Sequence, residues 1–255
     1  MSADWADLRN ELRKHSEMGL TLPLWWRDDD ATAQTPALDQ LAQLADRSGL
    51  PVHIAVIPKP ADSTLAQAVA ERPCLIPLVH GWQHVSHSPQ GAKKAEFGHP
   101  RAGAETELHD GLSRLRALFG PRLRPVFVPP WNRFDPAFAP VLARAGYTCL
   151  STFLQRDARD AAPGIRQVNT HIDPINWRGD RGLVLVETLI GQTLQVLRDR
   201  RDGKADATEP LGLLTHHLVH TPGVWHFSER WLREMLDGGA VPTPPDQQGD
   251  PDEPS

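Results

Sequence analysis

Apolar positions along the chain follow two spacings in turn, one typical of helices and one typical of strands. Residues 36–49 place apolar side chains on one helical face, and the next residues, 51–58, are almost continuously apolar. This alternation continues through most of the chain. It predicts helices at 4–18, 36–49, 63–71, 104–120, 135–147, 188–201 and 228–239. It predicts strands at 22–30, 51–58, 74–81, 124–131, 148–153, 165–173, 182–187 and 211–219.

Strands and helices that alternate in this way form a parallel sheet, so the expected fold class is α/β, with the sheet closed as a barrel or open. In both forms the active groups gather at the C-terminal ends of the strands. We expect an N-terminal helix at 1–19, a single catalytic domain at 20–238 and a disordered, acidic, proline-rich tail at 239–255. The polar segment 85–101 is expected to be a long functional loop.

The composition excludes several classes of protein. The 255 residues are 40% hydrophobic and 23% charged, with a formal net charge of -5, which is ordinary for a globular domain. No stripe of Lys and Arg is present, so we expect no nucleic-acid partner. There is no apolar run of about 18 residues and no signal-peptide core in 1–19, so we expect no membrane span and a cytoplasmic location. Cys74 and Cys149 are expected to be free buried thiols.

Polar clusters follow five of the predicted strands. They are RDDD at 27–30, HGWQH at 80–84, PPWNRF at 129–134, HIDPINW at 171–177 and THHLVH at 215–220. Because the C-terminal ends of parallel strands meet at one edge, these clusters should converge on one mouth of the sheet. Three adjacent carboxylates at the end of a buried strand repel one another, so they need a cation, a proton or open water nearby. Capping of the next helix would account for only one of them.

His80 and His84 are four residues apart, a spacing that presents two imidazoles to one point on a helical turn. With one carboxylate they form a set that suits Zn2+ or another first-row metal and leaves positions open for water and substrate. Taken alone, the pair could equally be two surface histidines. His87 is a third histidine in the same segment, but it is not expected to be a fourth ligand because a catalytic metal keeps one position open.

The ordered set of motifs resembles the polysaccharide deacetylases of carbohydrate esterase family 4, also called the NodB-homology family. The resemblance spans residues 20–237. The five motifs of the family are matched, in order, by Asp29 and Asp30, by His80 and His84, by Pro130 and Trp131, by Asp173 and Trp177, and by Leu214 and His216. The resemblance implies a distorted (β/α) barrel of mostly parallel strands, with fewer strands than the regular eightfold form.

The resemblance also implies a metal site and a base. Asp30, His80 and His84 would hold one divalent metal ion, with Zn2+ as the first choice and Co2+, Ni2+ or Fe2+ as alternatives. Asp29 would be the general base that removes a proton from the water at the metal.

A histidine would then protonate the leaving group. Motif alignment favours His216 as this acid and leaves His217 in reserve, because adjacent residues on a strand face opposite sides. Asp173 would orient the histidine and raise its pKa, although an aspartate directly before Pro174 is equally suited to a turn.

One departure concerns an arginine. The family usually has an arginine just before the third-motif prolines, where it holds the catalytic aspartate, and this chain has Val128 there. Either Arg133 or Arg27 could supply the missing guanidinium, and the sequence does not choose between them. Asp28, the extra aspartate of the first motif, has no role in the family pattern.

Tryptophans flank the candidate site residues. Trp82, Trp131 and Trp177, together with Pro130, are predicted to bind substrate, because flat aromatic faces bury the CH side of a sugar ring. Trp26 has a similar position. Any one of these tryptophans could instead fill the core around a strand end.

The first functional hypothesis is a metal-dependent hydrolase that removes an acetyl group from an N-acetylated or O-acetylated saccharide or saccharide precursor. A cytoplasmic location favours a small-molecule or oligosaccharide substrate over an extracellular polymer. The second hypothesis is the same scaffold acting on a non-sugar C–N bond, such as a cyclic amide. The third is a catalytically silent sugar-binding or metal-binding homologue, which the missing arginine would favour. No sequence feature indicates a particular oligomeric state.

Overall fold

The computed structural model describes residues 3–246 as helices packed around a mostly parallel sheet. The helices are α1 (Trp5–Glu17), α2 (Pro36–Ser48), α3 (Ser63–Glu71), α4 (Ala104–Phe119), α5 (Ala139–Ala145), α6 (Val186–Arg201) and α7 (Pro222–Asp237). The strands are β1 (Leu22–Ala31), β2 (Val52–Val56), β3 (Leu75–His80), β4 (Val126–Val128), β5 (Cys149–Leu150), β6 (Asp160–Ala162), β7 (Ile165–Gln167), β8 (Leu211–Thr215) and β9 (Ala240–Pro242). The predicted α/β class is confirmed.

The sheet has the strand order β6-β7-β5-β4-β3-β2-β1-β8, and β9 pairs with the beginning of β1. All neighbours run parallel except β6 and β7, which are antiparallel. Parallel neighbours place their C-terminal ends on one side of the sheet. The polar clusters that follow β1, β3, β4 and β8 therefore share one mouth, as the alternating pattern predicts.

Hydrogen bonds after β7 continue the ring of strands from β5 to β8. On one side, the Val168 N–H donates to Leu150 O at 3.0 Å. On the other side, the His171 N–H donates to Gly212 O and the Leu214 N–H donates to Ile172 O, both at 2.8 Å. The predicted strand at 165–173 thus links the two edges, and the fold is a distorted barrel of the predicted type.

Residues along β1 alternate between two environments, as a strand requires. Trp25 belongs to the small cluster inside the ring, which also contains Ala55, Leu78, Val126, Val128, Cys149 and Val168. Trp26 belongs to the larger core between the sheet and the helices. Arg27 and Asp29 continue the inner face and Asp28 continues the outer face. This alternation decides which charged residues can reach the mouth of the barrel.

Two predicted strands differ from the structure. The strand at 182–187 is wrong, because only Leu183 makes an isolated bridge, to Ile175, and α6 begins at Val186. Leu185 is 71% exposed, so this apolar run is not buried as a strand would be. The strand at 211–219 ends at Thr215 and is followed by a short 3-10 helix.

The C-terminal boundaries also move. The final helix, α7, begins before the predicted 228–239, because Thr221 accepts the Val224 N–H and Pro222 occupies the first turn. The disordered tail predicted from 239 is wrong at its beginning, since β9 pairs with β1 there. The rest of that prediction, 247–255, lies outside the described residues. No helix within 3–246 is long and apolar enough to cross a membrane.

Candidate metal centre and active-site cleft

A cleft of about 630 Å³ opens at the C-terminal ends of the strands. It is lined by Asp29, Asp30, His80, His84, Trp131, Asn132, Arg133, Phe153, Asp173, Trp177, Arg178, Arg181, His216 and Val219. Each of the five predicted polar clusters contributes two or more of these residues, and THHLVH contributes His216 and Val219. The structure therefore brings the predicted clusters together.

Asp30, His80 and His84 converge at one point in this cleft. Asp30 Oδ1 lies 3.2 Å from His80 Nε2 and 3.3 Å from His84 Nε2. One ligand atom from each residue lies within 4.8 Å of the others. These three side chains are the set of two histidines and one carboxylate that the sequence predicts.

The backbone must depart from regular strand geometry to build this set. Asp29 and Asp30 are adjacent, so a regular strand would send them to opposite faces. The pairing register between β1 and β2 shifts between Asp28 and Ala31, and Asp30 has φ 76°. His84 likewise has φ 58°. Strained residues of this kind persist where the surroundings hold them, and they concentrate at functional sites.

The histidine His80 is oriented by the neighbouring strand. Its Nδ1 lies 3.0 Å from Val128 O, and since a carbonyl can only accept, Nδ1 carries the proton. The lone pair of Nε2 then faces Asp30. A metal-ligating histidine is usually oriented in this way by a carbonyl or carboxylate at its other nitrogen. Val128 stands where the family has an arginine, and its carbonyl orients His80.

The charges of the three side chains depend on one another. Burial disfavours the carboxylate of Asp30, but hydrogen bonding and charge from His80, with smaller effects of His216 and His84, lower the pKa of Asp30. Burial also disfavours the charged form of His80, yet Asp30 and Asp29 raise its pKa. Burial and the charge of His80 lower the pKa of His84. This anionic set with oriented imidazole nitrogens fits a divalent cation.

Arg27 holds Asp29 at the edge of the set. Its Nε lies 2.9 Å from Asp29 Oδ1, and its Nη2 donates to Asp29 Oδ2 at 3.1 Å. Its other donors reach Ser151 Oγ at 2.7 Å, Thr152 O at 3.1 Å and Asn132 Oδ1 at 2.6 Å. Arg27 is fully buried and Asp29 is 2% exposed. Of the two arginines left open by the sequence, Arg27 is therefore the partner of Asp29.

Arg133 lines the cleft but does not hold the aspartate. Its Nη1 donates to Lys94 O at 2.6 Å, and none of its hydrogen bonds within residues 3–246 reaches Asp29. The role of holding the catalytic aspartate, which the sequence left open for Arg133, therefore goes to Arg27, and the reason is the alternation of side chains along a strand. Arg27 precedes Asp29 by two residues, so the two side chains share the inner face of β1.

His216 lies across the cleft beside Trp177 and Asp173. The rings of His216 and Trp177 meet edge to face, with centroids 4.7 Å apart. Asp173 accepts the Trp177 Nε1–H at 2.8 Å and the Ile175 N–H at 2.9 Å. Burial raises the pKa of Asp173 despite the nearby charge of His216. Within the described chain Asp173 makes no hydrogen bond to His216, so the predicted direct contact that would orient this histidine is absent.

His217 faces away from the cleft, on the outer side of the sheet. The ring Nδ1 of His217 lies 2.5 Å from Asp28 Oδ1, and the backbone N–H of His217 donates to Asp28 Oδ2 at 3.0 Å. Thr215 Oγ1 also donates to Asp28 Oδ2, at 2.6 Å, and accepts the Trp26 Nε1–H. His217 is 2% exposed and Asp28 is fully buried. The reserve prediction that His217 is an acid in the cleft is therefore wrong, and Asp28 acquires a structural role.

We expect the substitution His217→Gln to lower the free energy of unfolding by about 1–3 kcal/mol, because buried Asp28 would lose its imidazole partner. Each kcal/mol corresponds to a fall of about 2–4 °C in Tm for a chain of this size. Thermal denaturation measures this effect, with His216→Gln as the matched control on the adjacent residue. Equal melting of both variants and the wild type would contradict a structural role for the pair.

The predicted substrate-binding residues divide into two groups. Trp131 and Trp177 line the cleft, Trp131 with its ring centroid 4.3 Å from that of His84 and Trp177 with 44% of its surface exposed. Trp82 faces a different groove, beside α4, and Pro130 is buried behind the cleft. The predicted contact of Trp82 and Pro130 with substrate is therefore not supported. Trp26 is a fully buried core residue.

Two contributors were missed by the sequence analysis. Asn132 accepts a hydrogen bond from Arg27, and its place directly after Trp131 was a usable signal. Glu96 is fully buried in the loop before α4 and accepts backbone N–H groups from the turn that carries His84. The sequence held no local pattern that pointed to Glu96.

The fold is that of the polysaccharide deacetylases of carbohydrate esterase family 4, as the predicted resemblance implied. No protein-family model and no curated protein matches the sequence. The likeness is therefore one of three-dimensional structure.

Three solved structures illustrate it. A family 4 carbohydrate esterase from Streptomyces lividans, solved in complex with acetate, matches with a TM-score of 0.54 and 12% identity over 90% of this chain and 96% of that chain. A family 4 esterase from Streptococcus mutans matches with a TM-score of 0.56 and 10% identity over 94% and 90%. A family 4 pseudoenzyme from Bacillus anthracis matches with a TM-score of 0.51 and 11% identity over 86% and 62%.

Proposed function

We propose that this protein is a metal-dependent hydrolase that removes an acetyl group from an N-acetylated or O-acetylated saccharide or saccharide precursor. The observation that carries the proposal is the placement of Asp29, fixed by Arg27, directly beside the convergent set of Asp30, His80 and His84. A bound divalent ion would supply Lewis-acid polarisation of the acetyl carbonyl and of the attacking water. Zn2+ is our first choice for that ion.

Asp29 is the proposed general base. Its carboxylate lines the cleft, Arg27 Nη2 donates a charge-assisted hydrogen bond to its Oδ2, and Arg27 Nε lies 2.9 Å from its Oδ1, so an ion pair fixes its position. An ionised carboxylate next to the ligand set can accept a proton from the attacking water. The contact with Arg27 prevents that carboxylate from rotating towards the metal ligands.

His216 is the proposed general acid. It lies in the same cleft as Asp29 and directly follows β8, which is on the other side of β1 from β3, the strand that ends at His80. An imidazolium there can protonate the leaving amine or alcohol after the carbonyl is attacked. Asp173 acts on His216 through its charge and through Trp177, whose indole it holds against the imidazole.

The cleft suits a sugar ring. Trp131 and Trp177 offer flat apolar faces, and Arg178 and Arg181 add charged donors at the rim. One similar structure holds acetate, the acid that deacetylation releases. With the cytoplasmic location that we propose, a saccharide precursor or a short oligosaccharide is the favoured substrate.

Acetate release tests the proposal. The protein is stripped with a chelator, reloaded with Zn2+, Co2+, Ni2+ or Fe2+, and incubated with N-acetylated sugars, an O-acetylated oligosaccharide and a cyclic amide. We expect metal-dependent release of acetate from at least one sugar. Hydrolysis of the cyclic amide alone would favour the non-sugar alternative. Sugar binding with no turnover under any metal would favour a silent homologue, like the similar pseudoenzyme. The silent homologue is disfavoured because Arg27 supplies the guanidinium that is missing at Val128, before the third-motif prolines.

We expect Trp177→Ala to raise KM for the sugar substrate about 3-fold to 30-fold, because the exposed wall of the cleft would be lost. Trp177→Phe is the matched control, since it keeps an aromatic face but loses the Nε1–H that Asp173 accepts. Initial-rate kinetics of both variants separate the two contributions. An unchanged KM in the alanine variant would contradict the proposed wall.

A further inference from the structure

One buried carboxylate from the long loop reaches the turn that carries His84. Glu96 Oε2 accepts the Trp82 N–H at 3.1 Å and the His84 N–H at 3.3 Å, and Glu96 Oε1 accepts the Gln83 N–H at 2.9 Å. The Glu96 side chain is fully buried. Three consecutive N–H groups that converge on one anion form a concave backbone nest, so the carboxylate and the turn define each other's geometry.

The turn needs such support because its backbone is strained at His84. Gly81 has φ 56° and His84 has φ 58°, both in the left-handed region. Gly81 can adopt this conformation freely, but His84 has a Cβ that disfavours it. A Cβ on Gly81 would lie 2.2 Å from Glu96 Oε2 and 2.6 Å from Pro130 Cδ. The turn is therefore packed tightly between Glu96 and the residues after β4.

The loop itself is anchored in the core on both sides of this carboxylate. Phe97 is fully buried and meets Phe127 and Phe138 edge to face, with centroids 5.3 Å and 5.8 Å away. On the other side, Ala95 O accepts the His87 N–H at 2.8 Å. Glu96 is thus held in place by the core and by a contact across the loop, although it belongs to a loop. This return of the chain accounts for the length of the 85–101 segment.

The conformation of the turn decides where the His84 imidazole points. The left-handed φ at His84 turns its side chain towards Asp30 Oδ1, 3.3 Å from Nε2. Without an acceptor, the three N–H groups would be left unsatisfied, and the turn would relax to satisfy them elsewhere. Relaxation would carry His84 away from His80 and Asp30.

We propose that Glu96 is a positioning residue of the metal centre, which acts by holding the 82–84 turn in the conformation that aims His84 at Asp30. The inference rests on the metal centre of the proposed function. It adds a residue that contacts neither the ligand atoms nor the substrate. Outer partners of this kind typically change metal affinity about 10-fold to 100-fold when they are removed.

The affinity of the purified chain for Co2+ and Zn2+, measured by competition with a chromophoric chelator, tests the inference. We expect Glu96→Ala to weaken binding about 10-fold to 100-fold and to change the visible spectrum of bound Co2+. Glu96→Gln should retain part of the affinity, because its carbonyl oxygen can still accept N–H groups while its NH2 cannot. This graded rescue is the readout that a purely structural role would not produce.

Glu107→Gln is the matched control. Glu107 lies beside Glu96 and His87, with ligand atoms within 4.8 Å, and pairs with Arg101. Its hydrogen bonds within residues 3–246 do not reach the turn. We expect the metal affinity of the Glu107→Gln protein to stay within about twofold of the wild-type affinity. An equal loss in Glu107→Gln would overturn the inference, because it would assign the effect to the charge of the loop or to a second ion near His87.

Amide hydrogen exchange of the metal-free protein gives a second measurement. We expect the backbone amides of Trp82, Gln83 and His84 to be protected from exchange in the wild type and to exchange faster in Glu96→Gln. This measurement tests the inference even if Glu96→Ala does not fold. The inference is overturned if Glu96→Ala and Glu96→Gln both bind metal with wild-type affinity, or if the wild type binds no metal. A wild type that binds metal but releases no acetate defeats the proposed function alone, since the affinities still decide the role of Glu96.

Discussion

Asp30→Ala is expected to release the proposed metal ion and to lower the proposed deacetylase activity by about 10³-fold or more. Asp30 is the one carboxylate in the ligand set, and its Oδ1 is the atom that both His80 Nε2 and His84 Nε2 approach. Its loss leaves two imidazoles and no carboxylate in the ligand set. Polarisation by a divalent ion is worth several kcal/mol in the transition state, and each 1.36 kcal/mol is about a factor of ten in rate.

Metal content by plasma mass spectrometry and acetate release on the same samples measure both effects. Asp28→Asn is the matched control, two residues away on β1 but directed at His217 on the outer face. We expect the control to retain metal and to melt at a lower temperature, because the buried pair is weakened. Full metal content in Asp30→Ala would show that the ligand set is wrongly assigned.

Asp29→Asn is expected to lower kcat about 10²-fold to 10⁴-fold while the metal stays bound, because an amide cannot accept the proton that the general base removes. Asparagine keeps the volume of the side chain and one oxygen towards Arg27. The other acceptors of Arg27, on Ser151, Thr152 and Asn132, are unchanged. Asp29→Asn and Asp30→Ala should therefore separate the role of the base from the role of the metal ligand, although the two residues are adjacent in sequence.

Stability must be measured beside the kinetics of this variant. Arg27 is fully buried, and a buried cation that loses its carboxylate partner can cost about 3–5 kcal/mol. Activity is therefore assayed well below the Tm of the variant, and Co2+ spectra check that the metal site is intact. More than a tenth of wild-type kcat in a folded, metal-loaded Asp29→Asn protein would remove Asp29 from the role of base.

Much of the site followed from local sequence patterns. Each candidate residue comes from a short polar cluster at the end of an apolar run, and parallel topology brings such ends together. The spacing of His80 and His84 and the aspartates of β1, together with the resemblance that the ordered motifs carry, predicted the set that the structure assembles. Residues two apart on a strand share a face, which is compatible with Arg27 as the partner of Asp29, but the sequence did not choose it over Arg133.

Other residues depended on contacts that no local pattern encodes. Asp29 and Asp30 both face the cleft only because the backbone of β1 departs from a regular strand at φ 76°. His216 and His217 are identical in sequence terms, and the barrel alone decides that one faces the cleft and the other Asp28. Trp82 likewise follows His80 closely but faces α4.

The sequence by itself determined the α/β class, the side of the sheet on which the polar groups gather, and the identity of the metal-ligand candidates. The class and the side of the sheet follow from periodicity, and the ligand candidates follow from residue type together with the family resemblance. Only the tertiary structure decided which arginine holds Asp29, which histidine faces the cleft, and that Glu96 supports the turn of His84. The contacts of Glu96 with the His84 turn and of His217 with Asp28 join residues 12 to 189 positions apart, and Arg27 is held by Asn132 and Ser151, more than 100 positions away. Their geometry is set by strand pairing, by the left-handed residues and by the packing of the loop against the core, which a linear pattern does not contain.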